Sequence, residues 1–97
     1  MPANLYDQAV QALEASKASM RCSDLTDWLS KLGFEIRDGS RGGHKIFIHD
    51  GLPAFHSASY NCDHGRNPQI KRPYIVKVLR ILREHEVDLK KFVGDKS

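Results

Sequence analysis

The sequence predicts an α+β domain in which two amphipathic helices pack on one face of a three-stranded antiparallel sheet, with an additional N-terminal helix. Three observations predict it. Leu25, Trp28, Leu29 and Leu32 recur at helical spacing before Gly33, the segments that follow alternate with period two, and Pro73 opens a second helical stripe of Ile75, Val78, Leu79 and Leu82. With 97 residues, 40% of them apolar, the chain has enough material for one modest core and no room for a second.

Leu5, Ala9, Ala12 and Leu13 predict a first helix from about Asn4 to Ala15 with a thin apolar face, joined to the rest by the polar stretch Ser16 to Arg21. We read residues 1–19 as this accessory helix and its linker, 20–90 as the main domain and 91–97 as a tail. Ser23 is suited to cap the next helix, with Asp24 and Asp27 in its first turn, and Trp28 is expected in the core. Phe34 to Asp38 alternates apolar and charged residues and predicts a strand. His44 to His49 predicts a second strand, with His44, Ile46 and Ile48 on one face and Lys45, Phe47 and His49 on the other. The pattern leaves open which face is buried. Asp50-Gly51-Leu52-Pro53 then connects to a third strand, Ala54 to Asn61. After a polar loop from Cys62 to Gln69, Pro73 takes a first-turn position in the long helix, whose stripe Val76 and Ile81 widen. Past Glu84 the pattern fades, and Val87, Leu89 and Phe92 indicate a last turn or a docking tail. This order of elements is that of a double-stranded-RNA-binding domain, a shape that other small folds share.

The formal net charge of +3 hides a segregation. Between Arg37 and Arg83 nine Lys and Arg face three acids, Asp38, Asp50 and Asp63, a local net of +6, and everything outside sums to −3. A basic stretch with the acids displaced to the ends is the footprint expected for a phosphate backbone. No apolar run is long enough to span a membrane, and Met1 to Ser16 lacks the basic start and apolar centre of a signal peptide, so a cytoplasmic location and no membrane partner are expected. In that setting Cys22 and Cys62 are expected to be free thiols.

Within the basic stretch, Gly39 to His49 reads GSRGGHKIFIH, a glycine-rich turn that delivers a histidine to the first position of a strand. Imidazole is the side chain best suited to moving protons near neutral pH, and glycines let a polyanion approach the main chain. Cleaving RNA without a metal requires removal of the 2′-hydroxyl proton, stabilisation of charge on the phosphorus, and protonation of the leaving 5′-oxygen. His44 can serve as base or acid, while Ser40, Arg41, Lys45 and the backbone N–H groups of Gly42 and Gly43 can hold the phosphate. Lys71 and Arg72, at a helix start, are further phosphate-binding candidates. For the second proton transfer the candidates are His49, His56, Tyr60 or water. Phosphate binding without chemistry, or a structural role, remain open for His44. A zinc site is also invited by His44, His49, His56, Cys62 and His64, but their spacing is not that of paired zinc ligands, and we expect no metal and no cofactor.

Taken together, the helix from Ser23 to Gly33, the Gly39-Ser40 turn followed by His44-Lys45-Ile46-Phe47, a third strand and the Pro73 to Leu82 helix resemble the HicA toxins, the ribonuclease partners in bacterial HicA-HicB toxin-antitoxin systems. The resemblance runs from about Met20 to Leu82. It implies a double-stranded-RNA-binding-like fold, metal-independent cleavage of mRNA that arrests translation, and neutralisation in a heteromeric complex with a HicB-like antitoxin. The family's catalytic histidine maps to His44. Arg41-Gly42-Gly43 is longer than the family's usual single residue before that histidine, and the N-terminal helix and the loop from Asp63 to Pro73 are additions. The alternative from another class is a non-catalytic RNA-binding module of the same fold.

Overall fold

The computed structural model describes residues 4–39, 42–63 and 68–96. Ser40 and Arg41, both phosphate-binding candidates, and His64, a candidate zinc ligand, lie outside them. The order of elements is α1 (Leu5–Ala15), β1 (Ser19–Arg21), α2 (Cys22–Lys31), β2 (Glu35–Asp38), β3 (His44–Ile48), β4 (Ala58–Asn61), β5 (Gln69–Lys71), α3 (Arg72–Glu84) and α4 (Glu86–Lys96). The expected α+β class, with its three-stranded antiparallel sheet in the order β2-β3-β4, is present. The ribbon of β1 and β5 is a second, two-stranded sheet that no sequence pattern announced. Three residues per strand are too few for a period to show.

The alternation in β3 resolves to one buried face. Phe47 is fully buried and His49, just past the strand, nearly so, and the register sets Phe47 opposite Ile36 and Ala58. On this inner face Phe34 meets Phe47, Phe55 and His49 edge-on, with ring centroids 5.4, 5.7 and 4.8 Å away. Phe55 explains why the third strand begins at Ala58 rather than Ala54. Backbone turns close from Leu52 to His49 and from Phe55 to Leu52, and they fold Phe55 back to stack on Phe47 instead of extending the pairing.

α2 buries Leu25 and Leu29, with Leu32 just after it, while Trp28 is half-buried at the flank beneath the Lys31 ammonium, 4.6 Å from the ring centroid. The expected Ser23 cap is not used. Because β1 runs straight into the helix, Arg21 is the N-cap residue without a side-chain bond, and the Cys22 N–H is satisfied by the Pro68 carbonyl. Gly33 ends the run at φ +94°, where a Cβ would lie 2.3 Å from Phe92 and 2.8 Å from His49 Nε2. In α3, Ile75, Val78, Leu79, Ile81 and Leu82 are buried, but Val76 faces outward. The fading pattern after Glu84 is a full helix, α4, which buries Leu89 and Val93.

α1 packs against α3, α4 and α2. Asn4 caps it by accepting from the Asp7 N–H, and Tyr6, Ala9 and Leu13 are buried, with the Tyr6 hydroxyl donating to the Leu82 carbonyl at 3.1 Å. The Arg83 guanidinium beside Glu14 holds that carboxyl below its usual range. Its folded value is the lower one, so this link contributes stability at neutral pH and loses it as pH falls through the lowered value. No helix among the described residues is long and apolar enough to cross a membrane.

The expectation of free thiols is overturned: Cys22 and Cys62 form a disulfide, Cα–Cα 5.6 Å. The reason is tertiary. Cys22 opens α2 and Cys62 follows β4, and three backbone bonds around them, Cys22 N–H to Pro68, Cys62 N–H to Gly43 and Asp63 N–H to Gln69, bring the two Cα atoms into bridging range. The bridge spans a sequence separation of 40. Its reduction, or replacement of both cysteines by serine, is expected to lower the unfolding free energy by about 2–4 kcal/mol. Melts with and without a thiol reductant should show a Tm fall on the order of 10–25 °C, and an unchanged Tm would refute a stabilising role.

Candidate active site

His44 begins β3 on the outer face of the sheet, directly opposite Asn61 at the end of β4. Its Nδ1 lies 2.8 Å from Asn61 Oδ1, and Asn61 Nδ2 donates to the Tyr74 hydroxyl at 2.9 Å. The amide is placed with Nδ2 toward the Tyr74 hydroxyl, a group that can donate or accept, and with Oδ1 toward the imidazole. In this orientation Oδ1 accepts, so Nδ1 carries the hydrogen and the lone pair of the neutral ring is on Nε2. His44 itself is half-buried.

Glycines build the seat for the ring. The Gly39 N–H bonds the His44 carbonyl at 2.8 Å, and a Cβ on Gly39 would fall 2.1 Å from His44 Cδ2, so only glycine leaves room for this ring position. Gly43, at φ +82°, presents its carbonyl to the Cys62 N–H at 2.7 Å, and a Cβ there would strike the Cys62 oxygen. Gly42 is exposed in the same turn. Asn61 precedes Cys62, so the disulfide anchors the strand end that holds His44.

Other candidates fall elsewhere. Lys45, next along the strand, points to the opposite face and pairs with Asp38. There it lines a groove of about 450 Å³ with Cys22, Ser23, Thr26 and Asp27. Lys71 and Arg72 are exposed at the start of α3, three and two residues before Tyr74 in the chain.

Of the second proton carriers, His49 is buried on the inner side with both ring nitrogens engaged, one with the Leu32 carbonyl and the other accepting from the Gly51 N–H. Tyr60 is fully buried, its hydroxyl 2.7 Å from Thr26 Oγ1, and burial pushes its phenol pKa up. His56 precedes the Phe47–Ala58 pair, beyond the far end of the pairing from His44. None of the three is brought to His44. In the zinc reading, Cys62 is oxidised and His49 is fully engaged, and among the described residues no three His, Cys, Asp or Glu side chains gather as a metal group.

Asn61 and Tyr74 were not among the residues singled out for the site. Asn61 opposes His44 only because of the β3–β4 register, which the irregular turns between the strands set. Comparison of the chain with protein-family models, curated proteins and solved structures finds no match.

Asn61→Ala removes the acceptor that selects the His44 tautomer. Nitrogen-15 NMR is expected to show the Nδ1–H form in the parent and a mixture of tautomers in the variant; the same spectrum in both would exclude this positioning. Gly39→Ala should turn the ring off Asn61 with the same spectral change, while stability moves by only about 1 kcal/mol, because the group that must shift is a side chain at a hairpin end.

Proposed function

We propose that this chain is a HicA-like toxin, a metal-independent RNA endonuclease with His44 as its catalytic residue, acting on mRNA and held in check by a HicB-like antitoxin. The observation that carries this reading is the His44–Asn61–Tyr74 chain: a half-buried imidazole on the outer face of the sheet, held at Nδ1 by Asn61 and with no hydrogen bond at Nε2 among the described residues. The α+β architecture and the order α2, β2, β3, β4, α3 agree with the double-stranded-RNA-binding-like fold that the resemblance implies.

On this reading Nε2 of His44 takes the 2′-hydroxyl proton, the 2′-oxygen attacks the adjacent phosphorus, and the bond to the 5′-oxygen breaks to leave a 2′,3′-cyclic phosphate and a 5′-hydroxyl. Lys71, Arg72 and the Gly42 and Gly43 amides balance the charge that gathers on the phosphoryl oxygens. With His49, His56 and Tyr60 placed elsewhere, water protonates the leaving oxygen. On this reading the activity is cytoplasmic, and because reductants there keep most cysteines as thiols, the Cys22–Cys62 bridge would form in that compartment only under oxidising stress.

His44→Ala is expected to lower RNA cleavage by purified protein about 10²–10⁴-fold and to abolish growth arrest on expression, with the melting curve unchanged. Asn61→Ala should retain activity but lose about 10- to 100-fold through misorientation of the ring. Cleavage that survives His44→Ala at the parent rate refutes the assignment, and a parent that binds RNA without ever cutting it favours the binding-module alternative.

A further inference from the structure

Among the described residues, most cations are already engaged. Lys17, Arg37, Lys45, Arg80, Arg83 and Lys90 pair with carboxylates. Lys77 donates to the Ser59 carbonyl and Lys31 sits over Trp28. Lys91 on α4 and Arg21, Lys71 and Arg72 are different: all four are exposed, their side chains make no ion pair or hydrogen bond among the described residues, and the last three lie at the β1–β5 ribbon.

The β1–β5 register sets Ser19 opposite Lys71, Met20 opposite Ile70 and Arg21 opposite Gln69. Met20 and Ile70 are buried, so Ser19, Arg21, Gln69 and Lys71 share the exposed face. Arg21 and Lys71 are diagonal neighbours there, a placement that separates such residues by about 7–8 Å. Ser19 and Gln69 fill the other two positions with uncharged hydrogen-bonding groups, and the acid beside the ribbon is the exposed Asp63, whose N–H bonds the Gln69 carbonyl. Arg72 continues the charge onto α3.

We infer that the exposed face of the β1–β5 ribbon is a track for the RNA phosphate backbone, with Arg21 and Lys71 as its two phosphate contacts, leading the strand to His44. The inference rests on the ribonuclease reading for the identity of its polyanion. Charge complementarity selects the occupant: two unpaired cations on a flat polar face match a chain of phosphates, and nothing on the face offers an apolar anchor of the kind a protein partner needs. Connectivity supplies the direction. Arg21 adjoins Cys22, the disulfide leads to Cys62, and Cys62 adjoins Asn61, which holds His44. Those steps, at 3.8 Å per residue plus one disulfide and one strand spacing, keep the Arg21 and His44 Cα atoms within about 19 Å. From the other side, Lys71 and Arg72 lead into the helix that carries Tyr74. The covalent link thus holds the track at a set distance from the imidazole.

The test uses the full chain with its disulfide intact and His44→Ala to prevent cutting. Binding of a single-stranded RNA oligonucleotide is followed by fluorescence anisotropy from 50 to 200 mM NaCl, with and without Arg21→Gln plus Lys71→Gln, and with Lys91→Gln on α4 as a control. Two lost phosphate contacts should reduce the slope of log affinity against log salt by about 1.4, so that over this range the parent loses about seven-fold more affinity than the double variant. Lys91→Gln should leave the slope where it was. A folded double variant with the parent slope overturns the track, and if the His44-intact protein cleaves RNA the ribonuclease reading still stands. If that protein cuts no RNA but the slope falls as stated, the track stands and the ribonuclease reading fails. Binding of an acidic peptide, and not of RNA, through Arg21 and Lys71 would make the face a protein-docking surface and overturn the inference.

Discussion

The bond between Cys22 and Cys62 joins two sheets that share no strand, and the positions of the remaining elements follow from it. On one side it grips the first residue of α2 directly after β1, and on the other the residue after β4. The neighbouring backbone bonds, from Cys62 to Gly43 and from Asp63 to Gln69, bind the glycine turn and the return to β5 to the same point. A chain of this size buries a small core, and a cross-link between segments so far apart in sequence restricts its unfolded ensemble more than one short turn would. It also holds Asn61, and through it the imidazole of His44, against the body of the protein.

β3 divides two kinds of surface within five residues. Its inner positions, continued by His49, join an aromatic cluster with Phe34, Phe55 and Phe92, in which rings meet mainly edge to face at 4.7–5.8 Å. His49 belongs wholly to this cluster, its nitrogens bonded to the backbone of Leu32 and Gly51. His44, five residues earlier, faces outward with one nitrogen engaged. The two histidines also carry their hydrogen differently, on Nε2 in His49, whose Nδ1 accepts, and on Nδ1 in His44. A pairing shifted by one residue would exchange the faces and bury the wrong histidine.

Charge is distributed in a similar way. Several helix cations have carboxylate partners: Arg80 and Lys90 pair within their own helices, and Arg83 ties α3 to Glu14 on α1. Arg21 and Lys71 at the ribbon have none among the described residues. On the proposed reading, this leaves their attraction for a polyanion unspent on internal pairs and close to the site where the backbone is to be cut.

The sequence by itself determined what depends on near neighbours. Leu25, Leu29 and Leu32, and Ile75, Val78, Leu79 and Leu82, lie three or four residues apart, and that spacing dictates two buried helix faces wherever the helices dock. Pro73 in the first turn of α3 and Gly33 after α2 act within one turn of chain, so they too were legible, whereas Ser23 lost its expected cap position because β1 runs straight into α2. Strand alternation put His44 and Lys45 on opposite faces but was silent on which face was inner, since Phe47 and Ile46 are both apolar. Only the tertiary structure decided that, together with the β1–β5 ribbon, the pairing of Cys22 with Cys62, and the placing of Asn61 and Tyr74 behind His44. Each joins residues brought together by how intervening loops fold, as where Phe55 turns back onto Phe47, and no local period encodes such a return.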